Sequence, residues 1–263
     1  MSRRRIWYSG RSAELRLQPI VGVPRSSSPT GVLRLLPKQY LSPLYDWKAM
    51  EKDGFSWWIR RIKRALNLYD EFRIDHFRGF AGFWAVPAEA QVAIAGRWKA
   101  GPKEALFDAI FKAVGKINII AEDLGVITED VVRLRKAIGA PGMAVLQFAF
   151  GSDGYNPHLP HNHEPNQVVY TGTHDNDTVL NYLGVRKNDD IPWSLIEAAL
   201  ASVARTAIIP LQDILGLGNS ARMNIPATQL GNWRWRIPIS MGFDTLEPQA
   251  KRLSVLVSLY NRK

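Results

Sequence analysis

The chain has 263 residues, 46% of them hydrophobic, and a formal net charge of +10. That length suits one sizeable core, either a single α/β domain or part of a larger one. No apolar run approaches the roughly 18 residues a membrane-spanning helix needs, and the absence of cysteine excludes a disulfide frame, thiol chemistry and cysteine-ligated zinc.

The charge invites a nucleic-acid partner, but its distribution argues against one. Residues 1–40 hold seven Arg and one Lys against one Glu, a net +7, so the remaining 223 residues carry only +3. No stripe of basic and aromatic residues occurs outside Trp57–Arg64, and that stretch has a plain helical reading. Neither nucleic acid nor a membrane is expected as a partner.

Residues 1–41 differ from the rest, with Arg3-Arg4-Arg5, Ser26-Ser27-Ser28 and prolines at 19, 24, 29 and 37 that stop any helix early. Their Arg- and Ser-rich, acid-poor character fits a transit peptide; the reading taken is a disordered or misassigned segment. The body then runs from residue 42 to 263. From Trp47 to Asp70 the apolar residues Phe55, Ile59, Ile62, Leu66 and Tyr69 recur at helical steps, which leaves Arg60, Arg61, Lys63 and Arg64 mainly on the solvated face.

A first strand is predicted over Phe72–Asp75, and residues 79–103 form a long irregular excursion. Helix Lys103–Val114 leads to a buried strand, Ile117–Glu122. Thr128 caps a helix over Glu129–Ile138, and Ala144–Phe150 is the third strand. After the loop 151–166 come a fourth strand, Gln167–Gly172, a helix over Ser194–Thr206, a fifth strand, Ala207–Gln212, the turn Gly216-Leu217-Gly218, a loop over 219–240 and a last helix, Leu246–Leu259. Strand and helix thus alternate five times around mostly apolar strands, the signature of a parallel sheet.

Polar residues gather just after the strand ends: Asp75, Glu122-Asp123, 151–153, His174-Asp175 and Gln212-Asp213. In a barrel of alternating strands and helices this end carries the chemistry. The 53 residues from Glu122 to Asp175 enclose one strand, about 26 per unit against a typical value of about 31. No G-x-G-x-x-G follows the first strand, which weakens a dinucleotide-binding sheet, and neither a P-loop nor a G-x-S-x-G elbow occurs.

Three carboxylates at strand ends fit retaining cleavage of a glycosidic bond, which needs a carboxylate nucleophile and a carboxylic acid about 5–5.5 Å apart. Strand alternation puts Arg73 on the same side as Asp75, where its charge would keep the aspartate ionised, as a nucleophile requires. Glu122 ends a long apolar run; burial would favour its protonated form and a general-acid role. Asp175 beside His174 would bind sugar hydroxyls more tightly as the ring distorts. His158, His161 and His163 with Glu164 could ligate a metal, but Pro and Asn interrupt them and no helical spacing relates them, so a hydrogen-bonded loop is expected instead.

The segments Arg73-Ile74-Asp75-His76-Phe77-Arg78-Gly79, Ala121-Glu122-Asp123-Leu124-Gly125 and Thr173-His174-Asp175-Asn176-Asp177-Thr178 together resemble the 4-α-glucanotransferases (amylomaltase, or disproportionating enzyme) of the α-amylase clan. Pro141-Gly142-Met143, Gly216-Leu217-Gly218 and Ala221-Arg222-Met223-Asn224 add to the likeness, which covers about residues 42–263. The resemblance implies Asp75 as nucleophile, Glu122 as acid/base and Asp175 as transition-state stabiliser. Arg73, Asp123, His174, Arg222 and Asn224 would be substrate-binding.

It further implies transfer of α-1,4-glucan segments to the 4-OH of another glucan or glucose, with maltooligosaccharides as partners and no metal or organic cofactor. The likeness is strongest to plant plastidial members, implying a plastid location. The family's barrel has eight strands, the nucleophile following the fourth; about five of eight strand–helix units are visible here, a partial TIM (β/α)8-type barrel. Where relatives have a Gly- and Trp-containing stretch before Ser42, this chain has Leu36-Pro37-Lys38-Gln39-Tyr40-Leu41, as at an altered reading frame or exon junction. After Asp177-Thr178 it lacks the relatives' longer insertion. A five-strand piece leaves an open edge, so poor folding or low activity is expected. The rival readings are a non-catalytic α-glucan-binding remnant and an α-glucan hydrolase.

Overall fold

The computed structural model describes residues 20–22, 42–87, 93–186, 189–226, 228 and 230–262. The readings made for residues 1–41 lie outside the described residues, apart from a short strand, β1 (Ile20–Gly22). The chain divides into two compact units, Met1–Gly142 and Met143–Lys263.

In the first unit the long helical pattern after Trp47 is realised as two helices, α1 (Trp47–Lys52) and α2 (Ser56–Leu66). The break falls at Gly54 and Phe55, both with positive φ (67° and 55°), and Asp53 restarts the helix. Its carboxylate accepts from the Ser56 amide (3.2 Å) and the Ser56 hydroxyl (2.9 Å), satisfying donors that a helix start leaves open. On α2, Trp58 and Ile62 are buried while Arg60, Lys63 and Arg64 are exposed. Arg61 lies over the rings of Trp57 and Trp58, at 5.2 and 5.3 Å.

Strands β3 (Phe72–Ile74) and β6 (Ile119–Ala121) pair in parallel, Ile74 opposite Ala121. Between them the described residues of the expected irregular excursion hold helix α3 (Arg78–Ala81), strand β4 (Gly82–Pro87) and strand β5 (Arg97–Ala100), and the expected helix follows as α4 (Lys103–Val114). Strands β4 and β5 are antiparallel with Trp84 opposite Trp98, and join β1 and β2 (Ser42–Pro43) in a sheet of order β2-β1-β4-β5. The strands were hidden because Gly, Ala and Pro around them mask the β-formers Phe83, Trp84 and Val86; the Trp84–Trp98 ring contact joins the two strands. Helix α5 (Glu129–Ala137) follows. Thr128 precedes it but makes no side-chain cap bond. Its hydroxyl is committed to the Asp130 carboxylate and accepts from Arg78 (3.0 Å).

The core of this unit is aromatic. Phe77, wholly buried, and Phe80 pack ring to ring at 5.7 Å, Phe80 meets Phe107 at 5.3 Å and Trp58 at 5.4 Å, and Ile62, Leu106, Ile110, Val131 and Leu134 fill the remainder. Fully burying one such side chain is worth about 1.5–3 kcal/mol.

In the second unit, β7 (Gly142–Val145), β8 (Gln167–Tyr170) and β9 (Thr206–Ile208) form a sheet in that order, β8 and β9 parallel. Helices α6 (Val179–Tyr182), α7 (Ile191–Ala201), α8 (Leu211–Ile214) and α9 (Glu247–Leu259) complete it. Ala144, Leu146, Val169, Val179, Leu195, Ala199 and Ala204 form its core. Each of the five predicted strands has a counterpart, but the runs 144–150 and 207–212 are strand only at their starts. Leu146–Phe148 turns into a 3-10 helix, and Pro210 ends extended pairing and begins α8. The chain has an α/β architecture.

Gly101 lies against the backbone of α3: a Cβ there would stand 2.1 Å from the Phe80 carbonyl oxygen, which cannot move aside as a side chain could. Gly101→Ala is expected to lower stability by about 1–3 kcal/mol, read as a fall in the urea midpoint at constant m-value; an unchanged midpoint would contradict this packing.

Candidate active site

The parallel register of β3 and β6 ends with Ile74 opposite Ala121, so the next pair is Asp75 and Glu122, on strands about 4.8 Å apart. Two backbone hydrogen bonds extend the pairing beyond the strands: the Glu122 amide donates to the Ile74 carbonyl (3.0 Å) and the Phe77 amide to the Glu122 carbonyl (3.1 Å). Between them the chain turns through His76, at φ 54°. The turn lifts Asp75 and His76 out of the sheet while Phe77 drops into the core. The Glu122 side chain is buried, 6% exposed, and its Oε2 accepts from the His76 amide.

Arg73, one strand position pair below, is 3% exposed, and its Nε donates to Asp75 Oδ1 at 2.7 Å. A guanidinium this deep needs its carboxylate: removing one partner of a buried pair leaves an uncompensated charge at a cost of about 3–5 kcal/mol. The second arginine of the same segment does not attend Asp75. Arg78 Nη1 donates to the Val126 carbonyl (2.6 Å) and to Thr128, with its guanidinium over the Trp98 ring at 4.3 Å. It fastens the loop that leaves Glu122. Asp123 faces the scaffold: its Oδ2 lies 3.1 Å from Arg135 Nε, and a Cβ on Gly142 would sit 2.4 Å from the same oxygen.

In the second unit the segment after β8 carries His174, Asp175 and Asp177. Asp175 Oδ1 accepts from Asn224 Nδ2 (2.6 Å) and lies 3.2 Å from His174 Nε2. Arg222 binds two points of one loop and one of its own segment: Nη2 donates to the Asp175 carbonyl (2.7 Å), Nη1 to the Asp177 carboxylate, and Nε to the Asn224 carbonyl (2.8 Å). The Asn224 amide donates to the His174 carbonyl (3.1 Å). The segment Arg222-Met223-Asn224 is thus laid against 174–177 through both backbone and side chains, bringing His174, Asp175, Arg222 and Asn224 together.

Two members of this cluster escape the sequence reading. Asp177 pairs with Arg222, and the Trp233 ring lies 4.9 Å from the His174 ring. Trp233 has φ 64° and its amide donates to the Met223 carbonyl (2.6 Å). Its signal in the sequence was the run Asn232-Trp233-Arg234-Trp235-Arg236, rich in aromatics but without a strand to place it.

The histidine loop is a hydrogen-bonded knot. His158 Nδ1 accepts from the Val145 amide (3.1 Å), His163 bridges the Ser202 hydroxyl (2.7 Å) and the His158 carbonyl (3.0 Å), and His161 Nε2 meets the Gly154 carbonyl (3.0 Å). Accepting a backbone N–H requires an unprotonated Nδ1. Burial, reinforced by the nearby His163, lowers the His158 pKa from the ordinary 6.5 to about 4, and burial lowers His163 as well.

Comparison with known proteins places these motifs. The 4-alpha-glucanotransferase family (glycoside hydrolase 77) matches residues 39–241. The chain is 65% identical over 259 residues to the chloroplastic/amyloplastic 4-alpha-glucanotransferase of Solanum tuberosum, covering 92% of this chain and 44% of that protein. It is 67% identical over 236 residues to the corresponding Arabidopsis thaliana protein, covering 84% and 41%. The amylomaltase of Streptococcus agalactiae, solved in complex with acarbose, superposes with a TM-score of 0.78 at 34% identity, covering 92% of this chain and 50% of that one. The chain spans less than half the length of the curated relatives it matches.

The lowered histidine pKa fixes the sign of a pH dependence. Between pH 6.5 and 4 the unfolded chain binds a proton at His158 that the folded chain refuses, so stability is fully present above about 6.5 and falls as the pH drops toward 4. The loss attributable to His158 is about 3 kcal/mol. Urea midpoints for wild type should fall across this window, and His158→Gln should flatten the fall; equal slopes in both proteins would contradict the assignment.

Proposed function

The chain belongs to the 4-α-glucanotransferase family, and on that premise we propose that it carries the catalytic carboxylates for moving an α-1,4-glucan segment from one maltooligosaccharide to the 4-OH of another, or of glucose. The observation that carries the reading is the buried Arg73–Asp75 pair set one register step beyond β3, beside Glu122 at the end of β6. The guanidinium donates to one Asp75 oxygen at 2.7 Å and so fixes the direction of the carboxylate that would attack.

In the first step Glu122 protonates the glycosidic oxygen as the C1–O bond breaks and an Asp75 oxygen bonds to C1 on the opposite face. The released fragment leaves with the proton. In the second step the acceptor 4-OH gives its proton to Glu122 as its oxygen attacks C1, and the C1–Asp75 bond breaks. Two inversions give net retention. Asp175, with His174, Arg222 and Asn224, is assigned to the sugar hydroxyls, and the Trp233 ring to an apolar surface that favours a sugar acceptor over water. Asp123, with its carboxylate on Arg135, is assigned to supporting the loop after β6 as well as to the substrate side.

The same reading takes β3, β6, β7, β8 and β9 with their following helices as five strand–helix units of a (β/α)8-type barrel. Residues 42–263 are that catalytic portion, and 1–41 are an atypical N-terminal segment whose β1 pairs with β2 and β4. The plastid is the location inferred from the plant relatives, and starch-derived glucans are the substrate class.

Incubation with maltotriose tests the reading. The expected result is release of glucose together with chains longer than maltotriose, both lost by about 10³-fold or more in Asp75→Asn and Glu122→Gln. Glucose release without longer chains would make the protein a hydrolase. Glucan binding that is equal in wild type and Asp75→Asn, with turnover in neither, would make it a non-catalytic binder.

A further inference from the structure

Asp213 is 2% exposed, lies in α8, and is some 40 residues from the segment that bears Asp175. Its two carboxylate oxygens each take one donor. Oδ2 accepts from the Thr171 hydroxyl at 2.6 Å and Oδ1 from the Val179 amide at 2.9 Å. Thr171 immediately follows β8, and Val179 is the first residue of α6. The seven residues between these two anchors, 172–178, are the segment that bears His174, Asp175 and Asp177.

We propose that Asp213 is a positioning residue for the glucan-transfer reaction, bridging both ends of the 172–178 segment and so fixing the reach of Asp175. This rests on the functional reading above, in which Asp175 stabilises the transition state.

The bridge belongs to a wider clamp. Gln147 Nε2 donates to the Asp177 carbonyl (2.8 Å), Asn219 Oδ1 accepts from the Thr178 amide (3.1 Å), and Gln212 Nε2 donates to the Ala221 carbonyl (3.0 Å), next to Arg222. Asp213 differs from these neighbours in being a carboxylate without a cation among its hydrogen-bond partners. Burial pushes its carboxyl above the ordinary aspartate range, and the Thr171 and Val179 donors pull it back. A buried carboxylate is costly unless its hydrogen bonds are made, and an apolar residue would have filled the space at less cost. What the carboxylate supplies is a two-oxygen span with fixed geometry between a strand end and a helix start. Asp213 acts on Asp175 through the backbone that it tethers at Thr171 and Val179.

The test compares Asp213→Ala, Asp213→Asn and Thr171→Val with wild type, by maltotriose kinetics and by amide hydrogen exchange. Misplacing a reacting group by about 1 Å costs on the order of 10²-fold. Asp213→Ala is therefore expected to lower kcat about 10- to 100-fold with KM within about threefold, and to speed exchange at 173–178 while β8 amides stay as slow as in wild type. Asp213→Asn keeps an acceptor for Val179 and should recover most of kcat. Thr171→Val should lose part of kcat, and the double variant with Asp213→Ala should be no worse than Asp213→Ala alone. The proposal is overturned by a kcat in Asp213→Ala within about twofold of wild type, by a loss seen only in KM, or by faster exchange spread evenly through the second unit. Should wild type itself transfer no glucose, the functional reading fails, and exchange alone decides this one: acceleration confined to 173–178 supports it and unchanged exchange overturns it.

Discussion

Everything at the first carboxylates depends on one parallel pairing and the aromatic anchor beneath it. With Ile74 opposite Ala121, a shift of one residue in either strand would turn Arg73 out of the interior and send Asp75 to the other face. Phe77 and Phe80 prevent that shift. Their rings are locked against Phe107 and Trp58, so the segment from Arg73 to Phe80 has a fixed start in the sheet and a fixed end in the core. Asp75 and His76 are what remains outside, held in a turn whose positive φ at His76 costs strain that the buried rings offset. The Glu122 carboxylate takes the His76 amide, so the same turn orients the second carboxylate.

The second unit solves a similar problem by polar means. Its functional segment, 172–178, has no large buried ring of its own and is instead tied by side chains that come from far along the chain: Gln147 before it, and Asp213, Asn219, Arg222 and Asn224 after it. A core built on Ala144, Leu146, Val169, Val179 and Leu195 supports the two ends of this segment. Hydrogen-bonded loops of this kind fix direction well but contribute little net stability each, about 1 kcal/mol per bond. The energetic weight of each unit therefore lies in its apolar core, and the chemical groups ride on it.

Much of this was legible in the sequence where a local rule decides it. The five strands announce themselves as short apolar runs ending in acids, and alternation alone puts Arg73 beside Asp75. The amphipathic face of α2 follows from spacing. What was not legible depends on contacts distant in sequence or on local strain. Nothing in the run from Trp47 to Asp70 reveals that Phe55 adopts a left-handed conformation and splits the helix. Strands β4 and β5 are short and lie in a stretch broken by Gly, Ala and Pro, and the hydroxyl of Thr128 is claimed by Asp130 and Arg78 instead of the helix it precedes. Asp123 sits next to Glu122 in the chain yet turns to Arg135, because neighbouring residues leaving a strand point to opposite sides. Asp213 reads in the sequence as a strand-end acid, and only the fold shows that its partners are Thr171 and Val179.

The central claim is that Asp75 is the group that bonds to sugar. Trapping tests it most directly. The Glu122→Gln protein would be incubated with an activated maltooligosyl donor whose leaving group needs no proton, then quenched in acid, digested and analysed by peptide mass spectrometry. The account predicts an adduct of dehydrated glucose units on the peptide containing Asp75, absent from Asp75→Asn under the same conditions. An adduct on a different carboxylate, or its persistence in Asp75→Asn, would contradict it.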